Sequence, residues 1–302
     1  MDKKFIVARD YHNTRFDRWF RQNIQNVPQS FIEKLIRKKN VKLNNKRIKT
    51  SHRVKFNDTI QIYGITKLQN KNEPKNIKYK PSQKEKKGYD NLIIEDNSNF
   101  LVINKPSGVP VQGGTKSFRN IIDIIKNTKY FEETKPYIVH RLDKETSGVM
   151  IIAKNREYAQ LFTSLFRIRK IHKTYLAVTH DEVGKEINIL QDDLITYDKN
   201  KKKIQKAISY VKVIKSNNKY SLLELRPITG RKHQLRKQLY NIGNPIVGDD
   251  KYYIKKTKKI SKNQNLMLHA YKVKFMINSI KYNFEAKYSE KFNNFINKNI
   301  KS

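Results

Sequence analysis

A single carboxylate, Asp143, lies in a polar string that ends where an apolar segment begins. The string runs His140-Arg141-Leu142-Asp143-Lys144-Glu145-Thr146-Ser147-Gly148, and the apolar residues 149–153 follow it. A carboxylate at the entrance to a buried strand can lie in a cleft with little water, where it can act as a nucleophile or as a base. A simpler interpretation is a loop in which Arg141 pairs with Asp143 and the hydroxyl groups bond to the backbone.

Basic residues greatly outnumber acidic ones. The 302 residues include 65 Lys+Arg and 27 Asp+Glu, which gives a formal net charge of +38. Such an excess favours a polyanionic partner, because Lys and Arg release counterions from phosphates when they bind. The chain is also rich in Lys, Asn and Ile, so the base composition of the genome is a second explanation for part of the charge. Charge therefore indicates nucleic acid without identifying which kind.

The absence of Cys removes several kinds of chemistry. Without thiols there are no disulfides, no thiolate metal sites and no thiol nucleophiles, so enzymes that attack uridine through a cysteine are excluded. The first ten residues hold too short an apolar stretch for a signal peptide, and no segment reaches the length of a membrane span. We therefore expect a cytoplasmic protein that contacts no membrane.

Residues 1–64 predict a small domain of two helices followed by short strands. Apolar residues recur at helical spacing from Phe16 to Ile24, and Ser30 with Glu33 forms a capping-box pattern at the start of a second helix. Asn40 is placed to end that helix in the left-handed conformation. Two short alternating segments then flank Asn44-Asn45, which is typical of a hairpin turn.

A linker is expected over residues 65–90, because Lys, Asn, Gln and Pro dominate there and no hydrophobic period continues. Residues 1–90 hold 24 Lys+Arg and 8 Asp+Glu, a net charge of +16, and the other 212 residues carry +22. The higher charge density of the N-terminal part is expected if that part grips a nucleic acid.

Residues 91–302 predict an α+β domain built on an antiparallel or mixed sheet. Its predicted helices cover residues 121–125, a segment capped by Asn155, and residues 233–240. Asn278-Ser279 is expected to turn a closing hairpin. Strands are predicted at residues 92–94, 100–103, 149–153, 175–178, 208–214, 220–225, 271–277 and 280–286.

Four further segments combine strand-like residues with charged or aromatic side chains: Ile103-Asn104-Lys105-Pro106-Ser107-Gly108-Val109-Pro110-Val111-Gln112, Lys173-Thr174-Tyr175-Leu176-Ala177-Val178, Leu225-Arg226-Pro227-Ile228-Thr229-Gly230-Arg231-Lys232-His233-Gln234-Leu235-Arg236 and Asn244-Pro245-Ile246-Val247-Gly248-Asp249. With the string around Asp143, they resemble in order the motifs of the bacterial RNA pseudouridine synthase family that includes RluA, RluC and RluD. The resemblance is strongest to the C-type members, which act on large-subunit ribosomal RNA. It implies that residues 91–302 form the catalytic domain.

The N-terminal module resembles the S4 RNA-binding domain. The resemblance is carried by Val27-Pro28-Gln29-Ser30 and Ile36-Arg37-Lys38-Lys39, which stand where such domains contact RNA. It implies an αL-type RNA-binding domain over residues 1–64. The side chains expected to contact RNA are those of Arg37, Lys38, Lys42 and Arg47.

The family resemblance implies a reaction in which uracil is detached from ribose C1′, turned, and rejoined through its C5. It assigns catalysis to Asp143, either as the nucleophile that captures the sugar or as the base that removes a ribose proton. Arg236 is expected to keep that carboxylate ionised, with Arg231 as the weaker alternative. Tyr175 is expected to lie against the uracil, although a strand Tyr is also suited to a purely structural place in the core. Because the product is an isomer of the substrate, no metal or cofactor is expected.

The resemblance also implies the residues that hold the substrate. Arg141 is expected to help expel the target base from its stack, which costs a few kcal/mol. The other expected substrate or RNA contacts are His140, Thr146, Arg231, His233 and Gln234.

Three hypotheses about function follow from these residues. The first is a monomeric enzyme that acts on 23S ribosomal RNA or on a large-subunit assembly particle. The second is a non-catalytic RNA-binding ribosome-assembly factor, against which the joint presence of Asp143, Tyr175 and Arg236 argues. The third is a synthase that acts on transfer RNA, which the S4-like module disfavours.

Removal of residues 1–64 should weaken RNA affinity and flatten its salt dependence, because fewer phosphates are then neutralised. Filter binding at several salt concentrations, on the full chain and on the truncated chain, measures both effects. An unchanged slope of log Kd against log salt would contradict a role of this module in gripping RNA.

Overall fold

The computed structural model describes residues 3–64, 79, 81–113, 119–198, 201–255 and 265–300. The chain divides into two compact units, Met1–Asn76 and Ile77–Ser302. Of the predicted linker, residues 65–78 and 80 lie outside the described residues, so the proposed boundary at residue 64 stays a prediction.

The N-terminal unit packs two short helices against small antiparallel sheets. Trp19, Phe16 and Phe20 lie on one face of the first helix and are buried, so the predicted amphipathic helix is confirmed. Asn44 and Asn45 both have positive φ, 47° and 62°, as a two-residue primed turn requires. Its elements are β1 (Lys3–Ile6), β2 (Thr14–Arg15), α1 (Phe16–Asn23), α2 (Gln29–Arg37), β3 (Val41–Leu43), β4 (Arg53–Val54) and β5 (Thr59–Ile62), with sheet orders β1-β5-β3 and β2-β4.

Both ends of α2 differ from the predicted ones. The helix begins at Gln29 directly after Pro28, and no side chain caps it, so the capping box predicted at Ser30 is wrong. Pro28 occupies the N-cap position itself, with φ −57° and ψ 153°. Ser30 therefore lies inside the first turn of the helix. At the other end Lys39, with φ 63°, is the left-handed residue, whereas Asn40 already joins the sheet by accepting a hydrogen bond from Tyr63 N.

The second unit is built around a ten-stranded, mostly antiparallel sheet, which confirms the α+β class. Its main strand order is β11-β12-β13-β10-β14-β9-β7-β6, with β15 beside β14 and β8 beside β9. Its elements are α3 (Gln83–Asp90), β6 (Ile93–Asp96), β7 (Phe100–Lys105), α4 (Ile121–Ile125), β8 (Tyr137–Ile138), β9 (Ser147–Ala153), α5 (Arg156–Arg167), β10 (His172–His180), β11 (Ile189–Asp198), β12 (Lys201–Ser216), β13 (Tyr220–Pro227), α6 (Gln234–Asn241), β14 (Leu268–Ile277), β15 (Ile280–Glu285) and α7 (Glu290–Asn299).

Local signals located several of these elements correctly. Asn155 accepts a hydrogen bond from Tyr158 N and caps α5, as predicted. Asn278 and Ser279 have φ of 50° and 63° and turn the β14–β15 hairpin. Helix α4 also spans the predicted residues, Ile121–Ile125.

Four elements of the second unit were not predicted, namely α3, β8, β11 and α7. Helix α3 lies where the linker was expected, although Ser82 accepts a hydrogen bond from Glu85 N and so carries a cap signal. Its sequence buries only Tyr89 among large apolar residues, which leaves too few apolar positions for a helical period to appear. Because Tyr89 packs into the core of the second unit, this unit begins before residue 91.

Strand β14 joins the two halves of the large sheet. It pairs antiparallel with β10 on one side and parallel with β9 on the other, with His269 opposite Ser147 and Ala270 opposite Gly148. Gly148 has φ 113°, and a Cβ there would lie 2.2 Å from Ala270 O. Glycine is therefore required for the strands to approach, and that approach brings the segment before β9 towards β10.

Gly148→Ala should lower the free energy of unfolding by about 3 kcal/mol or more, because the added methyl group meets backbone and the φ is strained. Gly88→Ala is the matched control. A Cβ at Gly88 in α3 meets nothing within 4 Å, so this change should stabilise by about 0.5–1 kcal/mol. Urea unfolding measures both, and equal stabilities for the two variants would contradict the close strand approach.

Candidate active site

Residues far apart in the sequence meet in one cavity of the second unit, with a volume of about 1120 Å³. Asp143, Tyr175 and Arg236, the three predicted catalytic residues, all line it. They come from the loop before β9, from β10 and from α6. The cavity exceeds the roughly 300–1,000 Å³ of typical small-ligand sites, so it suits a large substrate. The predicted contact residues His140, Arg141, Thr146, Arg231, His233 and Gln234 line it too.

The loop that carries Asp143 is held by Lys105, the last residue of β7. Lys105 is fully buried, and its ammonium donates hydrogen bonds to the carbonyls of Pro106, Val109 and Lys144 at 2.8, 2.8 and 3.0 Å. Burial lowers the pKa of Lys105 to about 8, while the charges of Glu145 and Asp143 oppose that change. The three carbonyls satisfy all of its donors, so Lys105 acts as an internal clamp on the loop.

His140 anchors the other side of the same loop. Its Nε2 accepts a hydrogen bond of 2.8 Å from Ile151 N in β9, and its ring lies 4.8 Å from that of Phe166. Burial lowers the pKa of His140 to about 3, with a smaller effect from the charge of Lys173. The ring is therefore neutral at physiological pH, and this backbone bond gives it a positioning role beside its predicted contact with substrate.

The Asp143 carboxylate faces two nitrogen groups from the segment around α6. Its Oδ1 lies 3.7 Å from His233 Nε2, and its Oδ2 lies 3.8 Å from Arg236 Nη1. The side chain is 31% exposed, so it is accessible from the cavity. Among the described residues no ion pair joins Arg141 to Asp143, so the simpler interpretation as a loop ion pair is not what the structure contains. Arg141 is instead exposed.

Arg236 is held more tightly by Asp249 than by its predicted partner Asp143. Its Nε and Nη2 donate to the two oxygens of Asp249 at 2.7 and 2.6 Å, and Nη2 also reaches Asp250 at 3.2 Å. The guanidinium lies 5.3 Å from the centre of the Tyr252 ring. Burial opposes the charged form, but the hydrogen bonds and charge of Asp249, together with the charges of Asp143 and Asp250, outweigh it and raise the pKa of Arg236. This fork leaves Nη1 directed at Asp143.

His233 connects the carboxylate to Tyr252. It adopts a left-handed backbone, φ 54°, directly before α6, and its Nδ1 lies 3.0 Å from Tyr252 Oη. Burial lowers the pKa of His233, although Asp143 opposes this, so the ring is mostly neutral at physiological pH. A neutral ring can accept or donate a proton beside the carboxylate.

Gln234 and Arg231 make protein contacts that were not predicted. The Gln234 amide is buried: Oε1 accepts from Thr229 Oγ1 at 2.7 Å, and Nε2 donates to Ile208 O at 3.0 Å. These bonds fix the turn that precedes α6 and give Gln234 a positioning role, and its predicted substrate contact stays a prediction. Arg231 Nε donates to Lys206 O in β12 at 3.1 Å. The guanidinium that faces Asp143 is that of Arg236.

Tyr175 and Thr146 complete the predicted set. Tyr175 is half-buried on β10, and burial together with the charge of Asp143 raises its pKa, so its phenol stays protonated. Thr146 is 2% exposed, and its backbone N–H donates to Asp143 O at 3.2 Å. Thr146 therefore helps close the turn on which Asp143 sits.

The four predicted RNA contacts of the N-terminal unit lie on its surface. Arg37, Lys38 and Arg47 are exposed, and Lys42 is partly exposed with its amine 5.5 Å from the centre of the Tyr63 ring. Their exposure leaves the cations available to phosphates.

Several cavity-lining cations were missed. They are Arg167 at the end of α5, Arg169 in the turn that follows, Lys173 in β10, and Lys251 two residues after Asp249. The run Arg167-Ile168-Arg169-Lys170 just before the tyrosine motif was the available signal. These residues add positive charge to the lining of the cavity.

Within the described residues, no cluster of three or more His, Cys, Asp or Glu side chains could hold a metal ion. Across the same described ranges, no helix has both the length and the apolar character needed to cross a bilayer.

Two family models match the chain. The model described as RNA pseudouridylate synthase matches residues 99–241, and the model of the S4 domain matches residues 26–60. The first match contains Asp143, Tyr175 and Arg236, and the second contains Arg37, Lys38, Lys42 and Arg47.

Two relatives that match most of the chain share one name. A protein named ribosomal large subunit pseudouridine synthase C from Rickettsia felis is 35% identical over 270 residues, which are 85% of this chain and 87% of that protein. Its namesake from Buchnera aphidicola subsp. Baizongia pistaciae is 31% identical, over 89% of this chain and 88% of that protein. Among solved structures, human RNA pseudouridylate synthase domain containing 4 has a TM-score of 0.61 at 26% identity, covering 70% of this chain and 94% of that one.

Asp249→Asn should lower the free energy of unfolding by about 3 kcal/mol, because the Asp249 side chain is fully buried and its loss leaves the Arg236 charge without its main partner. The control is Asp250→Asn, whose side chain is 78% exposed. A surface pair contributes about 1 kcal/mol or less, so this variant should be close to wild type. Chemical denaturation of both variants distinguishes them, and equal losses would mean that Asp249 is not the anchor.

Proposed function

The chain belongs to the RNA pseudouridylate synthase family, and from this membership we propose that it isomerises specific uridines of 23S ribosomal RNA to pseudouridine. It is an RNA-binding enzyme with an S4 domain near its N-terminus. The two relatives named above as large-subunit ribosomal enzymes, each matched over more than four-fifths of its length, support this choice of substrate. The observation that carries the proposal is the meeting of Asp143, Arg236 and Tyr175 in one cavity.

Asp143 is proposed as the catalytic group. Isomerisation breaks the bond between ribose C1′ and uracil N1, and a carboxylate can assist by bonding to C1′ or by removing the proton from C2′. Both roles require the ionised form. Arg236 Nη1 lies 3.8 Å from the carboxylate and is anchored elsewhere, so it faces Asp143 without occupying both carboxylate oxygens.

Tyr175 and His233 are proposed to work on either side of Asp143. The Tyr175 ring lines the cavity from β10 and offers a flat surface on which a flipped uracil can stack. The Nε2 atom of a neutral His233 lies 3.7 Å from Asp143 and can accept a proton from the carboxyl group or the substrate. Its Nδ1 atom, 3.0 Å from Tyr252 Oη, can pass a proton towards Tyr252.

The target nucleotide must leave its helix before it can reach Asp143. Arg141 is exposed on the same loop, and we propose that it fills the space left by the extruded base. Between the lining residues Arg167 and Arg169, Ile168 is 56% exposed. An apolar side chain between two guanidinium groups fits an unpaired base flanked by phosphates, which is how sequence-selective RNA sites are commonly bound.

The proposal extends to the oligomeric state, the location and the domain bounds. All three proposed catalytic residues come from a single chain, which supports action as a monomer. We propose a cytoplasmic enzyme that acts on 23S ribosomal RNA, either free or in a large-subunit assembly particle. A domain over residues 1–64, a linker from 65 and a catalytic domain up to residue 302 complete the proposal, with α3 moved from the linker to the catalytic domain.

Cells that lack the gene should lose pseudouridine at one or more 23S positions, and the wild-type gene should restore it. Asp143→Asn should not, because an amide can neither bond to C1′ nor accept a ribose proton. Carbodiimide-dependent primer extension across 23S ribosomal RNA and transfer RNA provides the measurement.

The control is Asp123→Asn, a partly buried carboxylate of α4 that lies outside the cavity lining and should restore every site. Loss of signal only in transfer RNA would overturn the ribosomal assignment. Modification restored by Asp143→Asn would overturn the catalytic one.

A further inference from the structure

The amine of Lys173 in β10 lacks a protein partner. The side chain is half-buried, yet among the described residues no hydrogen bond or ion pair reaches it. A sheltered ammonium loses hydration that a partner would normally replace, and burial accordingly lowers the pKa of Lys173. An unpaired amine in such a place is suited to a ligand that supplies the missing acceptor.

Lys173 lines two neighbouring cavities. One is the large cavity, and the other has a volume of about 10 Å³; Tyr175 and His140 line both as well. The smaller space holds about one water molecule. A bulge interrupts the β10–β14 pairing between Thr174 and Tyr175, and Lys173 and Tyr175 both line the same two cavities. The amine therefore lies near the surface proposed to stack the uracil.

The other cations of the cavity are already occupied or stand at its rim. Among the lining residues, Arg236 is held by Asp249. Lys105, beside the Asp143 loop, does not line the cavity and is enclosed by three carbonyls. The remaining cations of the lining are exposed or half-exposed, as phosphates that keep part of their water require: Arg141, Lys144, Arg167, Arg169, Arg231, Lys232 and Lys251. A flipped nucleotide sends its base inward and leaves its phosphates at the rim. The inner amine is therefore matched to the base.

We propose that Lys173 donates a hydrogen bond to a carbonyl oxygen of the flipped uracil and stabilises the negative charge that the base acquires when it is released. The inference rests on the proposed function and extends it to a residue beside the tyrosine. It makes Lys173 a catalytic residue, because its ammonium touches the reacting base.

The movement of electrons in the reaction shows when the base is negatively charged and a cation beside it stabilises it. When the bond between C1′ and N1 breaks, its electron pair stays on N1 and spreads to O2 and O4, while Asp143 either bonds to C1′ or takes the C2′ proton. The uracil then turns, and C5 bonds to C1′ as the carboxylate of Asp143 leaves C1′ or returns its proton to C2′. The C5 proton leaves to solvent and N1 takes up one proton from solvent, so the product is an isomer of the substrate. Lys173 transfers no proton in these steps. Its charge is most useful while the base is an anion, so the effect should fall on the rate and not on affinity.

The test uses full-length protein and 23S fragments that the wild type modifies. Lys173→Met removes the charge and keeps the apolar stem, and it should slow single-turnover conversion about 100-fold, as loss of one donor to a developing anion commonly does. Affinity should stay within about threefold and its salt slope should not change, since no phosphate contact is lost. Lys173→Arg should keep the rate within about tenfold of wild type.

A second RNA carries 5-fluorouridine at the target position. Its C5 carries no proton to lose, so the rate compared between the two RNAs is that of breaking the C1′–N1 bond. Fluorine stabilises the uracil anion, so the defect of Lys173→Met in this step should shrink to about tenfold on this RNA. A merely structural role would slow both RNAs equally. Lys274→Met is the matched control, because Lys274 is an exposed lysine opposite His172 in the neighbouring strand and lines neither cavity. It should behave as wild type.

Stability is checked by circular dichroism, and Lys173→Leu is a second uncharged variant should the Met variant not fold. An unchanged rate, an equal defect on both RNAs, or weaker binding with a smaller salt slope would each overturn the inference while wild-type activity upholds the proposed function. If the wild type modifies no 23S uridine, the proposed function fails and this inference fails with it.

Discussion

The paired hydrogen bonds between Arg236 and Asp249 set the position of the groups around them. Burying two charges costs several kcal/mol per ion, and only good geometry and further bonds offset this cost. Both guanidinium nitrogens used here meet a carboxylate oxygen at 2.7 Å or less, and Tyr252 covers the guanidinium face. A flexible cation would collapse onto Asp143, whereas this one faces it at 3.8 Å. The carboxylate therefore gains a positive neighbour and stays open to substrate.

The loop of Asp143 is fixed by bonds that leave its carboxylate unused. Lys105 binds backbone carbonyls from within, and the neutral ring of His140 binds the backbone of β9 from the side. Strand β14 then brings β9 and β10 together, which only Gly148 permits at such a short distance. Preorganisation of this kind means that little has to move when the substrate arrives.

Positive charge is graded through the site. Exposed arginines stand at the rim, the N-terminal unit adds a basic surface of its own, and one unpaired amine, Lys173, lies within among the described residues. Exposed cations attract phosphates over a distance and weaken with salt, while a sheltered cation acts at short range on the group that enters. The same net charge of +38 thus serves binding and chemistry in different places.

The sequence by itself determined the family, the α+β class, and features that depend on a few consecutive residues, such as the Asn155 cap and the Asn278 turn. Such features are set by local backbone preferences and short-range hydrogen bonds, which neighbouring residues reveal. Only the tertiary structure decided that Arg236 is anchored by Asp249, that Gln234 faces inward, and that Lys173 lacks a partner. Those outcomes depend on which distant strands and loops meet, and on how much water each polar group loses there, and no local pattern encodes either.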